Sequence, residues 1–114
     1  MRVGGLKKIF TIALGLTALS IGATSAQDAQ TGKQLFESKG CYSCHGFVGQ
    51  GSREGPRLTP PMALAAFVAQ LRAPRAIMPP YTAALVSDAQ AADLHAYLTR
   101  LPKPPDPTSV RLLQ

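Results

Sequence analysis

Apolar positions along the chain fall into separate blocks divided by glycine- and proline-rich intervals, and the first block differs in kind from the rest. Ile9 to Ile21 is mostly apolar without a helical stripe, with Arg2, Lys7 and Lys8 before it and the small residues Thr24-Ser25-Ala26 after it. That order of positive charge, short apolar core and small-residue cleavage site predicts an export signal over residues 1–26, removed after Ala26. An uncleaved membrane anchor is the competing reading, but Gly15, Thr17, Ser20 and Gly22 dilute a core already short for a span.

The later blocks have helical spacing. Asp28 is an N-cap candidate for a helix running to about Lys39, with Ala29, Gly32, Leu35 and Phe36 on one side and Gly40 as its stop. Residues 46–58 hold four glycines and no periodicity, which predicts a long loop. Thr59 is expected to cap a second helix whose first turn accepts Pro60 and Pro61, with Leu64, Phe67, Val68 and Leu71 at i, i+3, i+4 and i+7. It should end before Pro74, and residues 74–81 should be extended because residues before proline avoid the helical region. Ser87 and Gln90 form a capping box ahead of the stripe Leu94, Tyr97, Leu98 and Leu101, which Pro102 stops. Residues 103–114 read as a stiff Pro-rich tail. No strand is expected, so the fold class is all-α: three main helices joined by long loops.

Without the first 26 residues the chain has 88, few enough that its own apolar core would be marginal without a metal, a disulfide or a cofactor. Removing Arg2, Lys7 and Lys8 from the 12 basic residues leaves 9 against 6 acidic ones. The remaining cations are scattered and have no aromatic residues interleaved, which argues against nucleic-acid binding. A mild positive field suits an acidic docking surface on a protein partner, with Arg53, Arg72 and Arg75 as candidate contacts.

Cys41-Tyr42-Ser43-Cys44-His45 is the only cysteine-bearing stretch. C-x-x-C-H is the pattern of covalent c-type haem attachment: Cys41 and Cys44 can add to the two vinyl groups of one haem while His45 lies under the iron as an axial ligand. A thioredoxin-like pair would need a preceding strand in a β-α-β setting. Zinc would need four separable ligands, and His95 is the only other histidine. A Cys41–Cys44 disulfide would close too short a loop to add much stability. A haem would also supply the apolar surface that so short a chain lacks.

The second axial position could be filled by Met62, Met78 or His95. His95 falls off the apolar stripe and is expected at the solvated surface. Met62 falls in the expected first turn of the second helix, where packing is the usual role of methionine. Met78, in a loop stiffened by Pro79, is the expected ligand.

"GKQLFESKGCYSCHG" at residues 32–46, "GPRL" at 55–58, "MPPY" at 78–81 and "AADLHAYLTRLP" at 91–102 follow one another in an order that resembles the class I cytochrome c family. The resemblance runs over residues 27–102 and implies the cytochrome c fold, with one haem c held between three helices, bonded to Cys41 and Cys44 and ligated through iron by His45 and Met78. It implies that the Pro56 carbonyl accepts the Nδ1 hydrogen of His45. It implies that Gly32 and Phe36 cross the last helix near Leu94 and Tyr97. Tyr81, Arg57 and Arg75 are candidates for the haem propionates. The expected function is single-electron transfer by an exported, periplasmic monohaem protein that makes and breaks no substrate bonds and so has no catalytic residues. Its partners would be reductases, dehydrogenases or oxidases, with membrane association only if residues 1–26 stay attached. The alternatives are a haem subunit of a dehydrogenase or oxidase complex and a ligand-binding haem enzyme or sensor.

Overall fold

Four helices account for the regular structure among the described residues of the computed structural model, which are Met1 and residues 27–113; the expected export signal lies outside them. They are α1 (Ala29–Ser38), α2 (Cys41–His45), α3 (Leu64–Arg72) and α4 (Asp88–Arg100), followed by two short 3-10 turns at Pro107–Ser109 and Arg111–Leu113. No strand occurs among the described residues, and none of their helices is long and apolar enough to cross a membrane.

Both ends of α1 follow from its sequence. The Asp28 carboxylate accepts hydrogen bonds from the Gln30 amide at 2.9 Å and the Thr31 hydroxyl at 2.8 Å, satisfying the first turn. Gly40, with φ +74°, turns the chain out of the helix and directly into α2. The face made by Ala29, Gly32, Leu35 and Phe36 is buried, chiefly against α4. The two helices touch at Gly32, where an added Cβ would run into the Asp93 carbonyl oxygen and come within 2.9 Å of Tyr97 Cβ. Phe36 packs on Tyr97 with ring centroids 5.5 Å apart and planes tilted by 56°. The Asp28 amide donates to Asp93 Oδ1 at 2.8 Å, closing the same contact at its edge.

The Ser87–Gln90 capping box forms in both directions, at 2.9 and 3.2 Å, and α4 ends at Arg100 ahead of Pro102. α3 departs from expectation. It starts at Leu64 after Ala63, so Thr59, Pro60, Pro61 and Met62 precede it in non-helical chain. Pro61 keeps Pro60 out of the helical region. The Thr59 hydroxyl is used elsewhere: Thr59 is buried and donates to the Pro102 carbonyl at 3.3 Å, tying the loop to the end of α4. The α3 stripe is as expected, with Phe67 and Leu71 buried and Leu64 and Val68 packed against the core.

Two more segments differ from the expected extended chain. Between Pro74 and Tyr81 there is a turn at Ala76-Ile77, because the Tyr81 amide returns to the Leu71 carbonyl at 2.8 Å. In the tail, Asp106 caps a 3-10 turn by accepting from the Thr108 amide at 2.9 Å, so local side-chain bonding interrupts the polyproline-like run.

Two measurements test this account. Gly32→Val should lower thermal or denaturant stability by about 1–3 kcal/mol through overpacking at the helix crossing, and wild-type stability in that variant would refute the close approach. The Asp28 carboxyl is held below the usual carboxylate range by the Thr31 hydroxyl and then the Gln30 amide. Its contribution is therefore present above the unfolded carboxylate pKa and lost as pH falls through the lower folded value. Thr31→Val should move the Asp28 pKa back up in an NMR titration.

Candidate haem-binding site

α2 is a single helical turn, so Cys41 and Cys44, one turn apart, both reach the same side, and both are half-buried free thiols. They open into a cavity of about 460 Å³ enclosed by α1, α2, α3, the end of α4 and the loops around Pro56 and Met78. That volume falls in the range of about 300–1,000 Å³ that encloses a cofactor-sized ligand. Apolar walls come from Phe36, Leu58, Leu71, Leu94 and Leu98. Burial pushes the Cys41 thiol up, which is unlike the acidic thiolate of a disulfide-exchange pair.

His45 is buried at the end of α2 and lines this cavity. Its Nδ1–H donates to the Pro56 carbonyl at 2.7 Å, which in the neutral ring fixes the tautomer with the hydrogen on Nδ1 and the lone pair on Nε2. The loop over residues 46–58 delivers that carbonyl by folding back on α2. Gly51 N donates to the His45 carbonyl at 2.8 Å, Leu58 N to the Gly49 carbonyl at 2.8 Å, and the Ser52 hydroxyl to the Cys44 carbonyl at 2.5 Å. Gly55 makes the approach possible, because a Cβ there would lie 2.9 Å from the Cys44 carbonyl oxygen and 3.0 Å from the imidazole ring.

Met78 is half-buried and lines the same cavity from the loop after α3. Three bonds hold the end of that loop. Arg72 donates to the Tyr81 carbonyl at 2.7 Å, Tyr81 N to the Leu71 carbonyl at 2.8 Å, and the Tyr81 hydroxyl to the Lys39 carbonyl at 3.0 Å, next to α2. Burial raises the Tyr81 pKa, which keeps this hydroxyl a donor at neutral pH. Ala76 sits at φ +57°, a left-handed conformation that costs a residue with a side chain roughly 1–2 kcal/mol, so the anchored ends hold the loop against its local preference.

Residues 27–98 match the family model described as cytochrome c oxidase, cbb3-type, subunit III. The chain belongs to this family of c-type cytochromes. No curated protein and no solved structure matches it. Haem-based electron transfer is the activity that goes with this cytochrome domain, and the all-α architecture agrees with it. The cavity suits the cofactor in three independent ways: two thiols one turn apart, a buried imidazole with a bare Nε2, and a largely apolar lining.

Several expectations for individual residues of the cytochrome change. His95 is half-buried, not simply solvated: its Nε2 bonds the Met62 carbonyl at 2.8 Å and its ring meets Phe67 edge-on at 5.7 Å. It fixes the chain entering α3 and does not line the cavity. Met62 does line it, although the residue is 42% exposed and precedes the helix. Arg72, expected to be a docking cation, is committed to Asp88 at 2.5 Å and to the Tyr81 carbonyl. Arg53 is exposed, while Arg57 and Arg75 line the cavity, and the Tyr81 hydroxyl hydrogen is taken by Lys39. Ser52 and Gln70 also support the site and carry no motif. Gln70 does leave a trace in the sequence, as the polar residue at i+3 beside Phe67 and Leu71 on an otherwise apolar face.

Gly55→Val tests the loop contact. Its side chain would push the Pro56 carbonyl away from His45, lowering holoprotein stability by about 1–3 kcal/mol in denaturant titration. An unchanged midpoint would show that the loop does not need the close approach.

Proposed function

We propose that this chain is an exported, periplasmic carrier of single electrons, with one haem c bonded to Cys41 and Cys44 and its iron ligated by His45 and Met78. The observation that carries the reading is the convergence of those four side chains on one apolar cavity, three from α2 and one from a loop 33 residues further along the chain than His45. Bound there, the haem supplies a one-electron couple of its iron.

The protein's part is to keep that couple in a nearly constant environment. The thiols of Cys41 and Cys44 are the tethering points, and the Pro56 carbonyl holds the His45 ring in one tautomer and one orientation. Leu58, Leu71, Leu94 and Leu98 keep water from the interior, and the bonds that Tyr81 accepts from Arg72 and donates to the Leu71 and Lys39 carbonyls keep the Met78 loop from swinging away. His45 and Met78 would hold the iron whichever its oxidation state, so little of the protein would have to move when an electron arrives or leaves.

Arg53 and Arg75 are the exposed cations proposed to steer an acidic redox partner, and Ile77, 81% exposed beside Met78, gives apolar contact area nearby. A second reading places the same domain as a haem subunit of an oxidase complex, and the description of the matching family favours it. The size of the protein in native extract separates the two: a free carrier runs as a small monomer, a subunit with its complex.

The near-infrared spectrum of the oxidised holoprotein tests the ligand set. The weak band that methionine sulfur gives on ferric haem should be present and should vanish in Met78→Ala while persisting in Met62→Ala. A native protein without the band, or one that binds carbon monoxide readily when reduced at neutral pH, would instead be a ligand-binding haem protein.

A further inference from the structure

α3 ends in a small polar cluster that neither the ligands nor the tethers explain. Gln70, half-buried on the cavity side of the helix, points its Nε2 at Met78 Sδ, 3.8 Å away. Its Oε1 accepts from Arg75 Nε at 3.3 Å, and all three residues line the same cavity. An amide can turn either end toward a sulfur, and only the nitrogen end donates to it. Arg75 removes that ambiguity, since a guanidinium can only donate and so demands the oxygen end.

We infer that Arg75 and Gln70 form a two-residue relay that orients Met78 and tunes the electron affinity of the site through a hydrogen bond to its sulfur. The inference rests on the reading of Met78 as the iron ligand. A donor on the sulfur draws on electron density that would otherwise go to the metal. The oxidised metal depends on that density more than the reduced one, so the bond favours the reduced state and raises the potential. Gln70 and Arg75 act through Met78, as positioning residues. Their spacing gives the relay a built-in register: Gln70 lies in the last turn of α3, which ends at Arg72, and Arg75 follows just beyond it on the loop that also carries Met78. The left-handed Ala76 comes next and turns the chain back toward the cavity.

The holoprotein and four variants test this by redox titration, with the near-infrared band read in the oxidised state and the Met78 methyl resonance in the NMR spectrum of the reduced state. Gln70→Leu removes the donor, and Gln70→Asn keeps an amide one methylene too short to bridge. Both should retain the near-infrared band, lower the reduction potential and shift the methyl resonance. Arg75→Lys keeps the charge but loses the Nε–H, and should shift both readouts in the same direction by less. Adding Arg75→Lys to Gln70→Leu should change nothing further, because the relay is already cut. A native protein without the band defeats the ligand reading and the relay with it. A band retained in every protein, with potential and methyl resonance unmoved in both Gln70 variants, defeats the relay alone. Additive effects of the Gln70 and Arg75 changes would mean that Arg75 acts independently of the amide, which also overturns it.

Discussion

An apolar space of about 460 Å³ lies among the helices of a domain with only ten buried apolar residues among those described, and that proportion governs the rest of the structure. So short a chain cannot bury enough of its own surface to be robust, and much of the apolar surface it has is turned toward the cavity. Phe36, Leu71, Leu94 and Leu98 belong to the core and to the cavity wall at once. The cofactor of a c-type cytochrome would thus complete the core as well as perform the chemistry, and stability and electron transfer draw on the same side chains.

Around that space the protein relies on backbone carbonyls more than on side-chain pairs. Pro56 holds the His45 ring, Cys44 receives Ser52, Lys39 receives Tyr81, Tyr81 receives Arg72, and Met62 receives His95. Each bond ties one irregular segment to a neighbouring element. Loops this long would otherwise be free to move relative to the helices, and their carbonyls have no ladder to satisfy them. The loops are therefore held in place piece by piece, which is how segments with almost no regular structure can fix the His45 ring and present Met78 to one cavity.

What could be read in advance follows from how local the determinant is. The grouping of Cys41, Cys44 and His45 at one cavity was legible because the C-x-x-C-H spacing puts all three within a single helical turn. The ends of α1 and α4 were legible because Asp28, Gly40, Ser87 and Gln90 act on their own neighbours. Pro56 came from the family resemblance alone, since nothing within its segment says which carbonyl will meet an imidazole eleven residues away. The start of α3 was misjudged because Thr59 looks like a cap locally and spends its hydroxyl on Pro102, 43 residues away. His95 was misjudged for the same reason, its partner being 33 residues distant. The common thread is that a polar side chain declares its chemistry in the sequence and its partner only in the fold.

The crossing of α1 on α4 has a bearing on when the domain can form. Gly32 meets Asp93, and Phe36 meets Tyr97, so the first helix has its main packing surface at the far end of the chain. A chain growing from its N-terminus has the thiols of α2 in place long before the residues that enclose them. During that interval the segment from α1 through α3 lacks its closing partner, so the two thiols stand accessible. Closure by the last helix is in effect the clock that ends this period of access.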